Sequence, residues 1–175
     1  MHSYVTDFLF LEEEKMNTKI LKLIEKNAKL TASDIATICS LDEEFVKAEI
    51  KEMENAGIIK GYKGVIDWAK VDSNSVSAII ELKVTPKAEL GFEDVAARIS
   101  KYPAVESVSL MSGICDLIVV VSAKTFQEVS SFVAKELATI DAVTATATQF
   151  IMKRYKDHGV LLTDDDTDER DTVSL

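Results

Sequence analysis

The sequence predicts an α+β protein of two units: a bundle of three helices closed by a short hairpin, then a β-α-β-β-α-β plait. Three observations predict it. Apolar residues recur at helical spacing in successive segments between residues 17 and 57. Strand-like runs then alternate with helical patterns from residue 76 to residue 155. Between two such runs, in residues 104–121 (AVESVSLMSGICDLIVVV), a glycine turn is followed at once by an acid, Asp116.

Residues 1–15 read as an N-terminal extension, either a leader or a helix packed on a neighbour, and Met16 serves equally well as a start. In the first helix Ile20, Leu21, Leu23 and Ile24 form the apolar stripe, with Asn17 as its N-cap. Thr31 caps the second, with Asp34 at the capping-box position and Ile35, Ala36 and Cys39 inward. Ser40-Leu41 is a tight connection. Asp42 caps the third helix, residues 43–55, with Phe45, Val46, Ile50 and Met53 inward and Gly57 at its C-terminal end. Ile58-Ile59-Lys60 and Val65-Ile66 are expected as short strands around residues 61–64. Helices and hairpin together make a winged helix-turn-helix over residues 16–66. Residues 67–75 are a linker in which Trp68 is expected to be buried.

The second domain covers residues 76–158. Its first strand, residues 76–84, is stopped by Thr85-Pro86. A helix over 92–100 carries Phe92, Val95, Ala96 and Ile99 on one face. In the next strand Val105, Ser107 and Ser109 alternate with Val108 and Leu110. Leu117–Val121 is continuously apolar, as in a covered central strand. A helix over 125–140 turns Phe126, Val129, Phe132, Val133 and Leu137 inward, and the last strand spans 143–155. This order is the ferredoxin-like αβ plait. Residues 159–175 are expected to be a disordered acidic tail.

Composition narrows the function classes. The 175 residues carry a formal net charge of −10, concentrated at the two ends, so the body between them is near neutral and long-range attraction to nucleic acid is weak. Two cysteines and two histidines make a disulfide framework or a zinc centre a poor reading. No uninterrupted apolar stretch is long enough to span a membrane, and the N-terminus lacks the basic segment of a signal peptide, so a cytoplasmic location is expected. No Ser/His/Asp or Cys/His arrangement supports catalysis. Neither an enzyme nor a cofactor is indicated.

At Gly113 and Asp116 the residues alone allow two readings. One is a tight turn whose acid makes local hydrogen bonds. The other is a ligand site, with backbone N–H groups of the turn facing a carboxylate and Asp116 facing an ammonium.

The chain resembles the Lrp/AsnC (feast/famine) regulators over about residues 17–158. The residues carrying this likeness are Ile20–Ile24, the 32–41 helix and turn, Glu54–Tyr62, Val65-Ile66-Asp67, the G-x-x-D form of Gly113–Asp116, and Thr146-Ala-Thr148. The resemblance implies a winged helix-turn-helix that binds double-stranded DNA and a RAM-type plait that binds an amino acid or related metabolite between subunits. It also implies a homodimer that stacks further, up to an octamer. The implied effector residues are Ser112, Gly113, Ile114, Cys115, Asp116, Thr146 and Thr148. Met111 nearby suits an apolar ligand side chain.

The third helix is the family's recognition helix, and here it departs from the pattern. Asp42–Asn55 carries six acids against Lys47 and Lys51, with no arginine. DNA readers place Arg, Lys, Asn, Gln or Ser there. Candidate phosphate contacts are Lys47, Lys51, Lys60 and Lys63. An alternative reading is an oligomeric ligand-binding protein whose acidic helix serves protein contacts or mixed assembly. A third, the siroheme decarboxylases that share this two-domain build, is disfavoured because Arg98 and Arg154 are the only arginines of the body.

Overall fold

The computed structural model describes residues 17–71, 75–86 and 91–162. The chain divides into two compact units at Gly64/Val65.

In the first unit, helix α1 (residues 17–26) is followed by α2 (Ala32–Cys39) and α3 (Glu43–Asn55). Asn17 is already helical and does not act as the cap expected of it. The α2 capping box is complete. Asp34 donates its backbone N–H to Thr31 Oγ1 at 3.1 Å, while the Asp34 carboxylate accepts from the Thr31 N–H at 2.8 Å. Ser40 takes the left-handed conformation that turns the chain sharply into α3. Asp42 Oδ1 accepts from the backbone N–H groups of Glu44 and Phe45, at 3.0 and 3.1 Å. At the far end Gly57 has φ +69°, and the Ile58 N–H reaches back to the Met53 carbonyl at 2.9 Å, which closes a Schellman turn.

Ile20, Ile35, Ala36, Cys39, Val46 and Met53 form this unit's core. Phe45, expected inward, is 39% exposed, and the fourth inner position of α3 goes to Glu49 at 9%. The two short strands expected at 58–60 and 65–66 are not formed. That wing runs without a ladder, tied back by the Tyr62 hydroxyl donating to Glu54 Oε1 at 2.8 Å. Trp68, expected buried, opens a 3-10 turn (Trp68–Lys70) and is 57% exposed.

The second unit holds β1 (Val76–Val84), α4 (Phe92–Ile99), β2 (Val105–Leu110), β3 (Leu117–Ala123), α5 (Phe126–Phe132) and β4 (Val143–Ile151). The sheet is antiparallel in the order β2-β3-β1-β4, the plait topology with its two long apolar strands central. One face is buried. Ala78, Ile80 and Leu82 of β1 and Leu117, Val119 and Val121 of β3 pack under Val95 and Ile99 of α4, Val129 of α5 and Leu137 just beyond it.

Three details differ from the pattern read along the chain. A bulge between Val105 and Ser107 shifts the phase of β2, so Val105 joins Val108 on the core side. The 125–140 helix is not uniform: after Phe132 it widens into a π turn (Val133–Leu137), with Ala138 N–H bonding to the Val133 carbonyl at 2.8 Å. Leu137 faces the core as expected and Ile140 joins it, while Phe126, expected inward, is half exposed at the helix start, its ring edge-on to Phe150 at 4.8 Å. Finally, the last strand ends at Ile151. Lys156–Asp157 (β5) and Val160–Leu161 (β6) pair as a hairpin across His158-Gly159, both at positive φ, where a tail was expected from residue 159. Residues 163–175 lie outside the described residues.

Candidate functional site

The turn between β2 and β3 is closed by the Met111 N–H donating to the Asp116 carbonyl at 2.8 Å. Gly113 has φ +150°, a conformation L side chains rarely adopt, and a Cβ there would meet nothing within 4 Å. The turn therefore needs glycine for its backbone and not for space. Ile114 is 89% exposed at its tip, with Leu110 and Met111 also exposed beside it.

Asp116 does more than end the turn. Its N–H donates to the Leu82 carbonyl at 2.9 Å, and its Oδ2 accepts from the Val84 N–H at 2.8 Å. The side chain thus extends the β1–β3 ladder past its last residue pair, Leu82 with Leu117. Its second oxygen, Oδ1, lies 3.6 Å from the Lys83 ammonium. Lys83 carried no signal along the chain, because it is brought to Asp116 only by strand pairing.

Thr146 and Thr148 lie in β4 opposite Leu82 and Ile80. Directly paired residues share a face of the sheet, so both threonines sit, half-buried, on the helix side. Lys83 and Asp116 alternate with the core residues Leu82 and Leu117, which sets them on the other face. Within one chain the structure gathers Ser112–Asp116 and Lys83 at one end of β1 and does not add the threonines to them. A cleft of about 430 Å³ lies elsewhere, lined by Ser75, Ala104, Glu128 and Phe132 among others. Among the described residues, no group of three or more His, Cys, Asp or Glu gathers as a metal site. None of their helices is long and apolar enough to cross a membrane.

On the first unit, Lys47 is held by two acids of its own helix, Glu43 at 2.8 Å and Glu44 at 2.7 Å. Its hydrogen bonds to the Glu43 and then the Glu44 carboxylate raise its pKa above the ordinary lysine value. Lys51, Lys60 and Lys63 make no ion pair among the described residues. Of the helix's six acids, Glu49 turns to the core, leaving five at the surface.

A helix-turn-helix unit joined to a ferredoxin-like plait with an acid-bearing glycine turn defines the class of DNA-binding regulators that carry their own ligand-binding domain. Residues 14–60 match a family model described as winged helix-turn-helix DNA-binding, and residues 77–161 match the Lrp/AsnC ligand binding domain. YugG, an uncharacterised HTH-type transcriptional regulator of Bacillus subtilis strain 168, is 40% identical over 158 residues, covering 90% of this chain and 95% of its own. Among solved structures, a transcriptional regulator of Neisseria meningitidis in complex with L-Met is 26% identical, with TM-score 0.66, covering 82% of this chain and 92% of that one. AsnC of E. coli shares the fold at 16% identity and TM-score 0.60, over 80% of this chain and 92% of its own. The chain belongs to the Lrp/AsnC family of DNA-binding transcriptional regulators.

Proposed function

We propose that this regulator senses an amino acid at the β2–β3 turn, between plait domains of neighbouring subunits. Ligand occupancy would then bias how its helix-turn-helix units are presented to DNA. The observation that carries the reading is the Gly113–Asp116 turn, where a glycine-dependent backbone and an anchored carboxylate stand next to exposed apolar side chains. The complex of the Neisseria relative with L-Met supports an amino acid as the ligand class. Ser112, Gly113, Ile114, Cys115 and Asp116 form this subunit's share of the site. Thr146 and Thr148, on the helix face of β4, contribute at most through a different subunit contact. The protein acts as a homodimer that assembles further, in the cytoplasm, without catalysing a reaction.

On DNA, Lys51, Lys60 and Lys63 are the phosphate contacts, and Lys47 joins them only when it leaves Glu43 and Glu44. That internal pairing favours a second reading, in which a partner subunit of a mixed oligomer supplies the stronger reader. Gel-shift titration of the homo-oligomer against genomic fragments, at low and physiological salt and with each standard amino acid, tests both. Expected is a sequence-specific shift that an amino acid changes. Replacing Glu43 and Glu44 with Gln should tighten the complex and steepen its salt dependence by about one phosphate contact. Absence of any specific shift would leave only the mixed-oligomer reading.

A further inference from the structure

We propose that Lys83 is the carboxylate anchor of this effector site and forms with Asp116 a charge pair matched to a zwitterion. This rests on the sensing reading above. Four observations place Lys83 there. Its ammonium is 3.6 Å from Asp116 Oδ1, longer than a charge-assisted hydrogen bond, so neither group saturates the other. Both keep access to solvent, with 47% of the Lys83 side chain and 27% of the Asp116 side chain exposed. The backbone beneath them is fixed from two sides: the Val84 N–H donates to Asp116 Oδ2, and the Lys83 carbonyl accepts from Thr144 Oγ1 at 3.3 Å. The pairing of β1 with β4 shifts register between Lys83 and Val84, the kind of irregularity that re-aims a side chain at a strand end.

The chemistry follows from these positions. An α-amino acid carries its ammonium and carboxylate on one carbon. Asp116 Oδ1 accepts from that ammonium while Lys83 donates to the carboxylate, so the ligand sets its two charges alongside two groups already facing one another. Backbone N–H groups at Gly113 add hydrogen bonds but no net charge. The pair therefore selects against an amine, which leaves Lys83 without its anion, and against a 2-oxo acid, which leaves Asp116 without its cation.

Calorimetry on the full chain with the twenty standard amino acids first identifies the strongest binder. Its decarboxylated amine and its 2-oxo acid are then compared with it, on the natural protein and on Lys83→Met and Lys83→Arg. Thermal melting confirms that both variants fold; the position is half exposed, and Met keeps the apolar stem. Expected is a loss of roughly five- to tenfold in amino-acid affinity for Lys83→Met. Affinity for the amine should rise or hold rather than fall, and Lys83→Arg should recover most of the loss. Equal affinity of the natural protein and Lys83→Met overturns the role of Lys83 and leaves the sensing reading standing. If no amino acid binds the natural protein, the sensing reading falls and the role of Lys83 falls with it.

Discussion

The two carboxylate oxygens of Asp116 have different partners. Oδ2 is committed to the Val84 N–H, and Oδ1 is left facing Lys83. The local reading of this acid, as a turn residue making nearby hydrogen bonds, describes Oδ2; only Oδ1 remains for a ligand ammonium. Asp116→Ala removes the acceptor of a partly buried N–H and is expected to cost about 1–2 kcal/mol in denaturant unfolding. It should also abolish an amino-acid-induced thermal shift. An undiminished shift in that variant would place the ammonium elsewhere. The acid and the glycine were legible in the chain because turn chemistry is local. Lys83 was not, since nothing within a few residues of it marks its neighbour 33 positions away.

The elements of the reader unit are set by their ends. Thr31, Asp42 and Gly57 each satisfy backbone groups that a helix leaves open, and all three were legible because caps act within three or four residues. Hydrogen bonds from Thr31 hold the Asp34 carboxyl below its ordinary pKa. A lowered folded-state pKa means that this contribution is present at neutral pH and is lost as pH falls through the folded value. Thr31→Ala should lower the melting temperature by about 5 °C, and the acid limb of its stability profile should become shallower than that of the natural protein. An unchanged acid limb would show that the capping box is idle. Glu49 is buried despite its charge: its 3.6-residue phase sets it among Val46, Ile50 and Met53, on the inner side of α3. The wing departs from the expected strands for a local reason. Two β-branched or apolar pairs flanking glycines suggest strands, yet a strand forms only with a ladder partner, and here the chain ties to Glu54 instead.

At the scale of the domain, the described helices of the plait pack on one face of its sheet, and among the described residues of this unit no helix covers the other. Ile79, Ile118 and Val120 are half-buried there, with Ala145 and Ala147 exposed beside them. An apolar sheet face of this kind is what a second subunit would cover. Val120→Asp is expected to dissociate the proposed dimer in sedimentation experiments while leaving the fold intact, because the substitution faces away from the helices. A variant that still sediments as the natural protein would move the interface to another surface. Charge acts at this scale too. With a net −10 overall, binding to DNA depends on a few lysines working against the protein's own field. A complex that tightens only modestly as salt is lowered is therefore expected, with a slope set by about three phosphate contacts, and one indifferent to salt would exclude phosphate contact.

By itself, the sequence determined the three helices of the reader, the order of helices and strands in the plait up to Ile151, the caps at Thr31, Asp42 and Gly57, and the acid at the glycine turn. Each of these depends on residues that are neighbours along the chain or one helical turn apart. The tertiary structure decided which residues meet across strands. It placed Lys83 beside Asp116 and gave one Asp116 oxygen to Val84. It turned Thr146 and Thr148 to the helix face, paired Lys47 with two acids, and used a single-residue insertion, the bulge in β2, to reset which of that strand's side chains face the core. Such outcomes follow from register and phase, which one extra residue can reverse, and no pattern confined to a single segment carries that information.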